Sequence, residues 1–487
     1  MTQTPSETVA PPIPAELAAF VESERRRADV VGVSIATIDR DGVRAAGAFG
    51  YADLQRAEPV TADTRFRAAS ITKLFTTALV FQEIAADTLS LDDPVNAHLD
   101  KPARIRRKDG GPADDVTVRH LLTHTSGLAV SWRGMEYGPL VYKLVANESL
   151  RAPHSLDRVV AGQKILRAPG KRIVYANQGF NLLGYIVQRL NNRPFADLVR
   201  ERIFDPLSMH DSSLPVSASG VGVATPYGSL MSGGRNPATR VKVYAGPAGA
   251  LFVSAADLAR FGQMILRGGE LDGRRIVSEA ILQEASKIHA RNHAELDDGW
   301  GLGFAAREWR GRLLIWHSGG FSGVSTLIQL SPQDGVGVIV LTNGGDFAFV
   351  SRVAERFLES SLSLQPELAP GSPCGVPDDK ASEWAAFTRR IQGRYRLTDS
   401  VPPGVVDRLV GVTTRPKVVH VADNQLVIEG TGFGNAFLYP DGDVGRYRLA
   451  LPFANGARVV IEERQGVTDI WASILHLRRR QRPSAPN

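Results

Sequence analysis

A single cysteine, Cys374, occurs in 487 residues. One thiol excludes an intrachain disulfide and any metal site built from several thiolates. Long apolar runs are missing as well: no stretch reaches the roughly eighteen uninterrupted apolar residues of a membrane-spanning helix. The opening MTQTPSETVAPPIP has neither a basic start nor a continuous apolar segment, so it does not read as a secretory signal. The chain as given is therefore expected to be cytoplasmic, with no membrane span. Lysine is scarce, and the formal charge of +6 rests on arginine, most of it scattered. One knot stands out near the C-terminus, at Arg478, Arg479, Arg480 and Arg482. Nucleic-acid recognition needs basic residues gathered on one folded surface; a terminal knot does not supply that, and no nucleic-acid partner is expected.

What is present is ordinary globular composition, 43% hydrophobic and 22% charged, over a length that favours two cores rather than one. Residues 15–27 read as an opening helix, followed by strand-like runs at 31–38 and 43–49 joined through Asp39-Arg40-Asp41-Gly42, a turn-rich hairpin connection. Residues 72–86 are apolar on most sides, the pattern of a helix inside a core. Further helices are expected at 179–190 and 254–267, the latter with Ser254 as N-cap and Asp257 in the first turn. Strand-like runs at 312–317, 324–330 and 335–342, separated by short turns, predict an antiparallel meander, closed by a helix over 349–362. The Pro/Gly-rich segment 366–380 reads as a linker. Beyond it, alternating runs at 418–422, 425–429, 446–451 and 458–462 predict a small closed β-barrel. The expected organisation is a flexible N-terminus (1–14), an α+β domain (15–362), a linker (363–384), a β-barrel domain (385–477) and a basic tail (478–487).

Three short motifs carry chemistry. Ser70-Ile71-Thr72-Lys73 opens the buried helix, and residues three apart share a helical face, so the Lys73 amine comes beside the Ser70 hydroxyl. The helix start adds unpaired N–H groups and a positive dipole end. A buried lysine can lose its proton and act as a base. Tyr175-Ala176-Asn177 is the second motif: a tyrosine can relay a proton if nearby cations lower its pKa, and an amide can hold a substrate carbonyl or the lysine. His317-Ser318-Gly319-Gly320 is the third; it ends an apolar strand, and its glycines permit close backbone approach. An N–H from that strand, added to that of Ser70, would make a two-donor oxyanion hole. Taken singly, each motif has a plain structural alternative: an N-capping serine, a core tyrosine beside a capping asparagine, a strand ending in a glycine turn.

In this order the three motifs resemble those of the class C β-lactamase, D-alanyl-D-alanine carboxypeptidase and esterase family. Leu121-Leu122-Thr123-His124-Thr125-Ser126-Gly127-Leu128, Pro169-Gly170 and Pro247-Ala248-Gly249-Ala250-Leu251 are similar to further stretches of that family, and the likeness runs over 31–362. It implies an antiparallel sheet flanked by helices and Ser70 as acylated nucleophile. Lys73 and Tyr175 would share the base and acid roles, Asn177 would orient substrate, and the N–H groups of Ser70 and Gly320 would stabilise the oxyanion. In such β-lactamases the third motif starts with lysine; here His317, ordinarily near-neutral at pH 7, makes strong β-lactamase activity unexpected. His124 is read as structural, within turn chemistry. The C-terminal module resembles the lipocalin-like domain appended to some members. The resemblance implies a serine hydrolase acting on a small-molecule ester, amide or D-amino-acid peptide, with no cofactor and no metal. A transacylase or peptide-cyclising thioesterase using the same site, and a non-catalytic penicillin-binding module, are the alternatives. Acyl group, stereochemistry and oligomeric state are not legible.

Overall fold

The computed structural model describes residues 11–128, 135–136, 155–228, 233–238, 242–244, 246–366, 380–398, 417–422, 425–429, 436–441, 443–450, 457–472 and 475–480. Helix α1 (Ala15–Arg27) leads into strands β1 (Gly32–Asp39), β2 (Val43–Asp53) and β3 (Glu58–Pro59). A one-turn 3₁₀ helix, Ala69–Ile71, precedes α2 (Thr72–Ala85). The helical middle includes α3 (Val118–Leu122), α4 (Asn177–Asn191) and α5 (Ala255–Leu266). Strands β4 (Asp298–Trp300), β5 (Ala305–Trp309), β6 (Arg312–Phe321), β7 (Val324–Ser331) and β8 (Val336–Thr342) and helix α6 (Phe347–Ser361) complete the first unit.

These strands form one eight-stranded sheet in the order β4-β5-β6-β7-β8-β1-β2-β3, and every pairing is antiparallel. The register Ile35↔Val340 joins the N-terminal hairpin to the C-terminal meander. Every residue of β7 is buried, so this strand reads as a continuous run rather than as the alternation of a one-sided sheet. One face packs Ala36, Ile38, Ile328 and Leu341 against Phe75 of α2 and Phe261 of α5. The other packs Val33, Ile35, Leu327 and Val340 against Leu17 and Val21 of α1 and Phe349, Val353 and Phe357 of α6. Ser254 caps α5 as expected, accepting from the Asp257 N–H at 3.1 Å.

Helix α7 (Ala381–Ile391) opens the C-terminal unit; it starts in the last residues of the expected linker (363–384) and runs on into the expected barrel domain, and residues 367–379 of that linker lie outside the described residues. Trp384, Phe387 and Ile391 on one face of α7 share a core with the barrel strands, and burial of that face explains why the helix forms next to a Pro-rich stretch. Strands β9 (Gly393–Leu397), β10 (Lys417–Ala422), β11 (Gln425–Glu429), β12 (Ala436–Pro440), β13 (Arg446–Ala450), β14 (Arg458–Arg464), β15 (Val467–Ala472) and β16 (Leu475–Arg480) form a closed eight-stranded barrel. β16 carries the first part of the arginine knot. Arg478 is paired with Asp469, and Arg479 donates to backbone carbonyls at Arg390 and Gln392. These arginines are structural partners of the barrel, not a free tail.

The barrel docks on the segments that flank the site described below. Arg446 pairs with Glu295, Arg448 with Asp297, and Arg172 donates to Thr398 Oγ1 at 3.1 Å. At this junction His293, Glu295 and Glu462 bring ligand-type atoms within 4.8 Å of one another, but Glu295 is engaged by Arg446 and Glu462 by Arg464. Among the described residues, no helix is long and apolar enough to cross a membrane.

Candidate active site

Ser70 is half-buried in the 3₁₀ turn just before α2, and the residue before it has a left-handed backbone: Ala69 has φ +49°. An alanine held there costs about 1–2 kcal/mol, so surrounding contacts must impose it. They are visible. Ala68 N–H donates to the Leu251 carbonyl at 2.8 Å, Thr72 Oγ1 donates to the Ala69 carbonyl at 2.6 Å, and Thr326 Oγ1 donates to the Ala68 carbonyl at 3.0 Å. The turn that presents the serine is thus clamped by the 247–251 loop on one side and β7 on the other.

Lys73 is 0% exposed, and its Nζ has three oxygen neighbours: Ser70 Oγ at 3.0 Å, Asn177 Oδ1 at 2.8 Å and the Ala248 carbonyl at 2.8 Å. Burial drives its pKa well below the ordinary 10.5. Two of the three neighbours can only accept, so a neutral amine spends both N–H bonds on them. Its lone pair then has one place to go, the hydroxyl of Ser70. The Tyr175 ring lies 5.0 Å from the same nitrogen.

Tyr175 is also linked to Ser70 by a hydrogen bond, yet burial outweighs it and pushes the phenol upward from its ordinary 10. This corrects one expectation. Nearby cations do not lower this phenol, because the lysine beside it is driven towards its neutral form by the same burial. Tyr175 is held protonated.

His317 and Gly319 fall on the buried face of β6, whose pattern alternates there. A Cβ on Gly319 would lie 2.0 Å from the Ala68 carbonyl oxygen, and one on Gly320 would lie 2.3 Å from the Phe347 ring. Only glycine lets this strand approach the serine turn so closely. His317 Nδ1 sits 2.7 Å from the Ser318 carbonyl, and its Nε2 is buried without a partner. Burial and the nearby Lys73 lower its pKa to about 3.

The sequence motifs therefore converge: Ser70, Lys73, Tyr175 and Asn177 form one connected cluster, with His317 and Gly319 beside it. Asn177 holds the lysine. Two residues outside the motifs join them. His124, with φ +55°, accepts the Val174 N–H at 2.8 Å with its carbonyl and the Ala176 N–H at 3.1 Å with Nδ1, gripping the chain on both sides of Tyr175. Its ring lies 4.3 Å from that of Tyr175. Trp300 packs edge-on against His124 at 4.6 Å and against Tyr175 at 5.7 Å. A histidine just before a Thr-Ser-Gly turn gave a weak sequence signal, and Trp300 gave none, since 125 residues separate it from Tyr175.

The Beta-lactamase family model matches residues 17–361. Penicillin-binding protein 4 of Amycolatopsis lactamdurans is 31% identical over 299 residues, 59% of this chain and 74% of that protein. The chain spans 60% of the length of two further curated relatives. Among solved structures, the octameric penicillin-binding protein homologue from Pyrococcus abyssi superposes with a TM-score of 0.60 at 23% identity, covering 95% of this chain and 99% of that one. A D-stereospecific amidohydrolase from Streptomyces sp. gives 0.57 at 25% identity, covering 70% and 98%. A match over most of the chain, on this fold, means that the protein belongs to the Beta-lactamase family, within the β-lactamase-like serine hydrolases.

Proposed function

We propose that this protein cleaves small-molecule esters or amides, D-amino-acid peptides among them, through an acyl-Ser70 intermediate. The observation that carries the reading is the lysine: its two carbonyl-type acceptors leave only the lone pair for the Ser70 hydroxyl. The proton on Ser70 Oγ passes to Lys73 Nζ as Oγ attacks the substrate carbonyl carbon and the C=O π bond opens to an oxyanion. The N–H groups of Ser70 and Gly320 would meet that oxyanion. When the tetrahedral species collapses, the bond to the leaving oxygen or nitrogen breaks and the leaving atom takes a proton from Tyr175, which is replenished from Lys73. Water then attacks the acyl-enzyme by the reverse path. The phenol suits the acid role because it is kept protonated, and the amine suits the base role because burial favours its neutral form. The likeness to a D-stereospecific amidohydrolase at 25% identity supports amides within the substrate range.

The test is fluorophosphonate labelling with and without Ser70→Ala, beside turnover of short-chain nitrophenyl esters and D-amino-acid amides. Labelling and turnover should both vanish in the variant. Labelling that persists on another serine would remove the assignment.

A further inference from the structure

Residues 171–176 carry Tyr175 yet form neither helix nor strand, so individual contacts rather than a ladder must hold them. On one side His124 grips the Val174 and Ala176 N–H groups. On the other side stands the barrel. Arg172 Nη1 donates to Thr398 Oγ1 at 3.1 Å, and its guanidinium lies 5.1 Å from the centre of the Trp471 ring. Arg167 Nη2 donates to the Thr398 carbonyl at 3.3 Å.

The barrel surface that meets Arg172 is itself firmly built. His476, 1% exposed, stacks on Trp471 at 3.5 Å with the two rings 2° from parallel. Its Nε2 lies 2.7 Å from Asp469 Oδ1 and its Nδ1 lies 2.7 Å from Thr398 Oγ1. Burial keeps this imidazole neutral, with its pKa lowered to about 4. A carboxylate only accepts, so the ring hydrogen sits on Nε2 and Nδ1 takes the Thr398 hydroxyl hydrogen. The Thr398 oxygen is then left to accept from Arg172. Hydrogen bonds run one way, from Arg172 to Thr398 to His476 to Asp469, and each polarises the next. A second anchor lies nearby: Asp297, three residues before Trp300, pairs with Arg448 and accepts the Arg458 N–H at 3.0 Å. Ile173, Tyr175 and Trp300 pack in one cluster, so both anchors converge on the phenol.

We propose that Arg172 is a positioning residue for Tyr175: by tying residues 171–174 to the barrel, it fixes where the phenol meets the leaving atom. The inference rests on the serine hydrolase reading with Tyr175 as the acid, and adds that the second domain sets the acid's place.

Phenyl butyrates substituted from 4-nitro to 4-methoxy test this, since they share an acyl group and differ in how much the leaving oxygen needs a proton. Arg172→Met should lower kcat/KM by about tenfold or more for the 4-methoxyphenyl ester, but by less than about threefold for the 4-nitrophenyl ester. Thr398→Val should produce the same split from the barrel side, and it carries the test if Arg172→Met melts below the assay temperature. Thr398→Ser keeps the hydroxyl and should behave as wild type. In a Tyr175→Phe background, adding Arg172→Met should cost less than about twofold more. Equal losses on the two esters, no loss on either, or a full further loss in the Tyr175→Phe background overturns the proposal. A wild-type enzyme that turns over no ester of the series would instead strike the hydrolase reading.

Discussion

Replacing Gly319 with alanine isolates how closely β6 must approach the serine turn. The new Cβ would lie 2.0 Å from the Ala68 carbonyl oxygen and 2.5 Å from Thr326 Oγ1, and neither neighbour is the far end of a flexible side chain. The Ala68 carbonyl is fixed by its hydrogen bond from Thr326, and the Ala68 N–H is fixed to Leu251. Relieving the overlap needs the strand and the 68–70 turn to part by about 1 Å, and a displacement of that size in a catalytic constellation costs on the order of a hundredfold in rate. That fall corresponds to roughly 2.7 kcal/mol of lost transition-state stabilisation, with a further ~1–3 kcal/mol of stability lost to overpacking. The assay is kcat/KM on a nitrophenyl ester together with the rate of fluorophosphonate labelling and a thermal melt. Gly311→Ala is the control: its φ is +77° but nothing lies within 4 Å of the added Cβ, so it strains the backbone without touching the site. A Gly319→Ala enzyme that keeps near-normal turnover, or one no slower than Gly311→Ala, would refute the idea that this approach sets the position of Ser70.

Lys73→Ala and Tyr175→Phe should each lower turnover by about a hundredfold or more, and the double variant should be little worse than either single one, because both act on one proton path. The rate should rise with pH as Lys73 loses its proton and level off well below 10.5, since burial lowers that pKa; a profile still rising at pH 10 would count against the neutral amine. The same lysine has a sign consequence for stability. Below pH 10.5 and above its lowered folded value, the unfolded chain binds one proton more, so wild-type stability should rise with pH across that window. The rise should be missing from melts of Lys73→Met. His124→Phe keeps a ring against Tyr175 but strands the Ala176 N–H, so kcat should fall by about tenfold and stability by ~1–3 kcal/mol, while KM changes little. An unaltered kcat would return His124 to a purely structural role.

The sequence determined a good deal by itself. Strand-like runs bounded by short turns marked β6, β7 and β8, and the apolar helix expected at 72–86 fell where its pattern placed it, because hydrophobic patterning is a local property that survives folding. Ser70 and Lys73 were tied together by helical spacing alone. The sequence could not decide protonation. Whether the lysine is neutral, the phenol protonated and His317 uncharged depends on how far water is excluded and on which carbonyls lie nearby. The Ala248 carbonyl comes from 175 residues further along the chain than Lys73. The same holds for His124 and Trp300, which reach Tyr175 only after three distant segments have packed. The arginine knot shows the limit from the other side. Composition reads it as a solvated tail, but barrel closure pairs Arg396 with Arg478 across β9 and β16 and places Asp469 where it neutralises Arg478. Local pattern fixes which segments become helix or strand; the field around each titratable group is made by residues far apart in the chain, and only tertiary structure brings them together.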